Sequence, residues 1–100
     1  MIHLNNNNFE EETKTGLKLV LFSAKWCGYC QKQKMVLNEL PDIWVGEVDG
    51  DESPNLTEKF GIMSFPTFVI FKQGKPAGKF VGLHSKSELL NQLMKYVNLK

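Results

Sequence analysis

Between Lys18 and Ser23 the chain offers no polar face, because Leu19, Val20, Leu21 and Phe22 follow one another without a break. A strand of alternating polarity can leave one side in water, but a continuous apolar run cannot. This segment therefore predicts a strand covered on both faces. Thr67-Phe68-Val69-Ile70-Phe71 makes the same demand in β-branched and aromatic residues. Two such strands need layers above and below them. A chain of 100 residues, 42% hydrophobic and 23% charged, has enough material for one such sheet and one modest core. A single domain spanning residues 1–100 is expected.

The remaining segments supply the covering layers. Ile2 to Leu4 reads as a short edge strand. Asn8, with Glu11 three places on, resembles a capping box opening a short helix to about Thr15, which Gly16 ends. Gln31 to Leu40 has helical spacing, with Met35, Val36, Leu37 and Leu40 apolar, and Pro41 stops it. Ile43 to Val48 is a strand. Ser53 and Pro54 open a helix to about Phe60, with Gly61 as its stop. Gln73 to Pro76 reads as a turn, and Lys79 to Val81 as the strand that completes a hairpin. Ser85 and Glu88 form a capping box for a last helix whose apolar face is Leu89, Leu90, Leu93, Met94 and Val97. The order is β-α-β-α-β-α-β-β-α. It predicts an α/β fold with a central mixed sheet of about five strands and about four helices on its two faces.

Composition narrows the function. Twelve basic residues against eleven acidic ones leave a formal charge of +1, and the lysines are scattered. That balance gives no electrostatic ground for binding nucleic acid or an anionic membrane. No apolar run approaches the roughly 20 residues that span a bilayer. Residues Met1 to Asn8 carry four asparagines where a signal peptide has its apolar stretch, so the expected compartment is the cytoplasm.

The two cysteines, Cys27 and Cys30, lie three positions apart. A bridge closing a loop of about four residues contributes only ~2 kcal/mol, against ~4.7 for a loop of about 100, so it is a poor structural staple. A closed zinc site needs four ligands. Here there is no second cysteine pair, and His3 and His84 are far apart in sequence, so no metal is expected. Redox chemistry remains. Cys27 ends a buried strand and opens a helix, where unpaired N–H groups and the helix dipole favour a thiolate. Cys30, one turn on, can reach it and resolve a mixed disulfide. Gly28 keeps the approach to Cys27 open, and Trp26 sets a flat apolar wall beside it. A Cys-x-x-Cys run preceded by Trp and placed at a strand-to-helix junction is a strong signal.

The chain resembles thioredoxins over almost its whole length. The matching pieces are Phe22-Ser23-Ala24-Lys25-Trp26-Cys27-Gly28-Tyr29-Cys30, Val48-Asp49 with Pro54 after it, Phe60-Gly61-Ile62, Phe65-Pro66-Thr67, Phe71-Lys72-Gln73-Gly74, and Gly82 before the last helix. The resemblance implies the thioredoxin fold and reduction of protein disulfides without a resident cofactor. It also implies a monomer recharged by a thioredoxin reductase that draws on NADPH through flavin. It implies further that Pro66 is cis and faces the cysteines, and that the backbone of Phe65 pairs with a bound substrate chain. Trp26, Met63, Phe65, Pro66 and Gly82 are the expected substrate-binding residues, with Tyr29, Met63, Phe65 and Leu83 rimming an apolar docking surface around Cys27; the alternative for these four is ordinary core or loop packing.

Three departures from the family stand out. Tyr29 replaces the usual proline between the cysteines and brings a backbone N–H that proline lacks, a further donor near the Cys27 thiolate. Leu21 stands where thioredoxins carry a buried aspartate that moves the proton of the second cysteine, and Glu47 stands where they carry its lysine partner. Glu47 is a candidate replacement base; the alternative is a side chain that points to solvent. Met35 replaces a mid-helix proline. His84, close to Gly82, is a weaker site candidate, and Trp44 reads as core. Two other functions stay open. One is a disulfide oxidase or isomerase, suggested by the Gly-Tyr dipeptide. The other is a binding subunit of the same fold whose cysteines are dispensable.

Overall fold

The computed structural model describes residues 1–97. Its elements run β1 Ile2–Leu4, α1 Phe9–Thr13, β2 Leu17–Ser23, α2 Gly28–Leu37, β3 Val45–Asp49, α3 Pro54–Lys59, β4 Thr67–Lys72, β5 Lys75–Val81 and α4 Lys86–Val97. The five strands form one sheet in the order β1-β3-β2-β4-β5. β1 and β2 run parallel to β3, whereas β4 runs antiparallel to both β2 and β5. The two strands with unbroken apolar runs, β2 and β4, are therefore interior neighbours. A core lies on each side of them. Val20, Phe22, Val48 and Phe71 pack under Phe9 of α1 and Leu56 of α3. Leu19, Leu21, Phe68 and Ile70 pack under Leu37 of α2 and under Leu89 and Leu93 of α4. Phe22 and Phe68 are fully buried, which stabilises the fold by about 1.5–3 kcal/mol for each ring.

Several local expectations need correction. The hairpin turn is only Gln73 and Gly74, both at positive φ (51° and 82°), the conformation that matches strand twist in a two-residue connection. β5 thus starts at Lys75 and contains Pro76. A proline is tolerated there because β5 is an edge strand with one row of N–H groups facing water. α1 ends at Thr13, and the Asn8 side chain does not cap it. The Asn8 amide donates to the His3 carbonyl, and Glu11 pairs with Lys14 instead. β3 starts at Val45, leaving Ile43 and a half-buried Trp44 ahead of it.

α2 starts at Gly28 and ends at Leu37. Its buried positions are Cys30, Gln33 and Leu37, while Met35 is on the outer side and exposed. On α4 only Leu89 and Leu93 are buried, and Leu90, Met94 and Val97 are exposed. The Ser85–Glu88 capping box is present: Glu88 accepts from the Ser85 N–H at 2.8 Å, and the Ser85 hydroxyl accepts from the Glu88 N–H at 3.2 Å. The first of these bonds is the main cause holding the Glu88 carboxyl below its usual value.

Candidate active site

The site is built where β2 stops. The Ser23 carbonyl accepts from the Gly50 N–H at 2.8 Å, and the Ala24 carbonyl accepts from the Cys27 N–H at 3.2 Å, so the chain turns directly from sheet into α2. Cys27 occupies the N-cap position with extended backbone (φ −92°, ψ 112°), and its sulfur accepts the Cys30 N–H at 3.2 Å. Helices usually fill this position with the oxygen of Ser, Thr, Asp or Asn, because their first N–H groups have no partner within the helix. Here the reactive sulfur does that work. Among the described hydrogen bonds the backbone donor to Sγ is Cys30, not Tyr29.

The two cysteines are unbridged. Cys27 is 6% exposed and Cys30 not at all. Burial, first, and then the bond to Cys27, push the Cys30 thiol up to about 12. Cys27 thus lies at a helix N-terminus with only a sliver of its surface exposed, and the Cys30 thiol is sealed and held protonated behind it.

The peptide bond before Pro66 is cis, and the Phe65 carbonyl lies 3.5 Å from Cys27 Sγ, which donates to it as a thiol. The Phe65 ring rests over Gly50, where a Cβ would come within 2.2 Å of it, so glycine is the residue that leaves room. Trp26, 71% exposed, stands edge-on to that ring at 5.9 Å and donates its indole N–H to Asp51 at 2.9 Å. Asp49 shapes the supporting loop by accepting the N–H groups of Asp51 and Glu52. The Gly82 N–H donates to the Pro66 carbonyl at 2.9 Å, with φ of +98° at Gly82, a conformation that favours glycine. Tyr29, Met63 and Leu83 are exposed large apolar side chains, Met63 at 96%. Gly28 is exposed, and a Cβ there would meet nothing within 4 Å, so its surroundings are open without any need for glycine.

Glu47 does not point to solvent. Its side chain is 17% exposed, pairs with Lys34 of α2, and accepts the hydroxyl of the buried Ser23 at 2.7 Å. Leu21, fully buried, is its neighbour across the β2–β3 pair. The charge in this group that acts on Cys30 is that of Lys34, four residues on along the same helix; it is the smallest of the influences on that thiol and acts to lower it. Lys34 and Asp51 are the site residues that the motif-based reading misses. The i, i+4 spacing of Cys30 and Lys34 was a legible signal for the first. Nothing local announced the second. The His84 ring packs against Phe80 and Phe68.

The sequence model of the thioredoxin family matches residues 1–95. This chain belongs to the thioredoxin family. A thioredoxin of Staphylococcus haemolyticus is 38% identical over 102 residues, covering 97% of this chain and 98% of the relative. One of Chlamydia muridarum is 38% identical over 97 residues, covering 93% and 95%. Among solved structures, a mutant thioredoxin from Halobacterium salinarum superposes with a TM-score of 0.88 at 27% identity, covering 99% of this chain and 92% of that one. A chain from a study of thiol resolution in a yeast mitochondrial 1-Cys peroxiredoxin by the glutathione and thioredoxin systems gives 0.84 at 28% identity, covering 95% and 94%. The fold is that of the thioredoxins, and the protein is a thiol–disulfide oxidoreductase, a protein-disulfide reductase. The family implies disulfide-bearing protein substrates and a thioredoxin reductase as partner. Among the described residues no helix is long and apolar enough to cross a membrane.

Proposed function

We propose that Cys27 is the attacking and Cys30 the resolving cysteine of a cytoplasmic, monomeric reductant of protein disulfides, recharged by a flavin-containing, NADPH-dependent thioredoxin reductase. The Cys27 thiolate attacks one sulfur of the substrate disulfide. A Cys27–substrate S–S bond forms, the substrate S–S bond breaks, and the departing thiolate takes up a proton. Cys30 then gives up its proton and attacks Cys27 Sγ. The Cys27–Cys30 bond forms, the mixed disulfide breaks, and two electrons have passed to the substrate, which leaves as a dithiol. The substrate chain lies along Phe65, Pro66 and Gly82 and against Trp26 and Met63, pairing with free backbone groups as an added strand. Glu47, with Ser23 and Lys34, is the polar group under α2 that serves the Cys30 proton in place of the carboxylate that Leu21 cannot supply.

The observation that supports this assignment best is the placement of the two sulfurs: Cys27 Sγ caps the N-terminus of α2 and keeps a little exposure, whereas Cys30 is sealed behind it and its thiol is raised by burial. Trapping tests it. Cys30→Ser should accumulate a mixed disulfide with insulin that a reductant releases, and Cys27→Ser should accumulate none. Equal trapping by both variants would overturn the assignment.

A further inference from the structure

Gln33 is fully buried, an uncommon place for an amide, which destabilises an apolar interior unless its polar atoms are paired. Both ends are paired, and to one residue. Its Nε2 donates to the His84 carbonyl at 3.0 Å, and its Oε1 accepts the His84 backbone N–H at 2.7 Å. The amide grips the backbone of His84 as a neighbouring strand would. Filling the space does not require this, since methionine or leucine has a similar volume. The His84 ring takes no part in it. That ring stands edge-on to Phe80 at 4.8 Å, and its Nδ1 lies 2.7 Å from the Gly82 carbonyl.

The grip closes a ring of contacts around the site. Gln33 stands three residues after Cys30 on α2. The segment it holds, Gly82 to His84, is tied at its other end to Pro66 through the Gly82 N–H. Phe65, next to Pro66, offers its carbonyl to Cys27 Sγ. The cysteine-bearing helix and the Gly82 backbone are therefore joined on two sides, through Gln33 and through Phe65–Pro66. We propose that Gln33 is a positioning residue that fixes the Gly82–Leu83 backbone relative to Cys27 and so sets how tightly a protein disulfide docks. The proposal rests on the reading of Phe65, Pro66 and Gly82 as the docking surface.

Gln33→Met removes both bonds at nearly constant volume. With insulin as substrate, its KM should rise about fivefold to tenfold, the worth of one or two lost hydrogen bonds, while kcat holds. His84→Ala keeps both backbone partners and should raise KM less. A loss confined to kcat would place Gln33 in the sulfur chemistry, and an unchanged KM in a folded variant would remove it from docking; either overturns the proposal. If Gln33→Met does not fold, wild-type hydrogen exchange decides. The His84 amide should be protected in the free protein, and exchange at the rate of an open amide overturns the grip. Wild-type protein that reduces no insulin would remove the docking surface itself, whereas an active wild type beside a Gln33→Met variant of unchanged KM removes only the role of Gln33.

Discussion

Cys30 gives the sharpest quantitative test. Its thiol is pushed from an ordinary 9.0 to about 12, by burial first and then by its bond to Cys27 and the charge there. At pH 8 the folded protein should hold about a thousandth of the Cys30 thiolate that the unfolded chain holds, because the two values lie three units apart. Alkylation by iodoacetamide follows the thiolate. Reduced, folded protein at pH 8 should therefore gain one adduct, on Cys27, and Cys30 should react about a thousandfold faster once guanidinium unfolds the chain. Peptide mass spectrometry over a time course reads both rates. In Cys27→Ala the bond and the charge are gone but burial remains, so Cys30 should react at a rate between those of the folded wild type and the unfolded chain. The same difference is a statement about stability. A group whose folded value is raised stabilises fully below its unfolded value, near pH 9.0, and this is lost as pH rises through the folded value, near 12. Three units at about 1.4 kcal/mol each give about 4 kcal/mol at stake in that window. Two adducts at comparable rates in folded protein at pH 8 would refute the reasoning.

Three further outcomes are expected. Glu47→Gln removes the anion between Lys34 and Ser23; it should slow release of a substrate from the trapped mixed disulfide and alter its pH profile, as read by stopped-flow fluorescence, and an identical profile rules out a proton-handling role. Gly50→Val drives a side chain into the Phe65 ring; it should cost about 1–3 kcal/mol in denaturant unfolding and lower insulin reduction by displacing Phe65 from Trp26. The Glu88 carboxyl, held below its usual 4.5 mainly by the Ser85 N–H, stabilises α4 above that value and loses its effect as pH falls through the folded one. The Tm gap between wild type and Glu88→Gln should therefore be open at pH 7 and narrow in acid.

The sheet was legible because β2 and β4 are apolar without interruption, and only an interior place in a sheet with covered faces satisfies that pattern. Residues that signal two things were misread. Pro76 and Gly74 sit close together and suggest one long turn, yet an edge strand accepts the proline and a two-residue turn needs only the glycine. Met35 and Met94 are apolar and helical but face water, since helix phase is set by the residues each helix buries: Cys30, Gln33 and Leu37 on α2, and Leu89 and Leu93 on α4. Gln33 was illegible for the opposite reason. A polar side chain defaults to the surface, and the backbone that satisfies this one lies 51 positions away. The cysteine pair was readable from the motif, whereas the cis Phe65–Pro66 bond came only with the family resemblance, since a proline in a sequence does not declare its isomer. The ion pair of Glu47 with Lys34 was not, because it joins a strand to a helix with no local relation in sequence.

The Cys27 sulfur has two employments, as nucleophile and as the group that caps the start of α2 by accepting the Cys30 amide. A thiolate is a strong acceptor, and a sulfur locked in a disulfide is a weak one. Each turn of the cycle should therefore weaken and restore this one capping bond. The Cys30 amide proton is a built-in gauge of oxidation state. It should exchange with solvent more slowly in the dithiol than in the disulfide, so that a single NMR cross-peak follows the protein through its cycle without any label on the sulfurs.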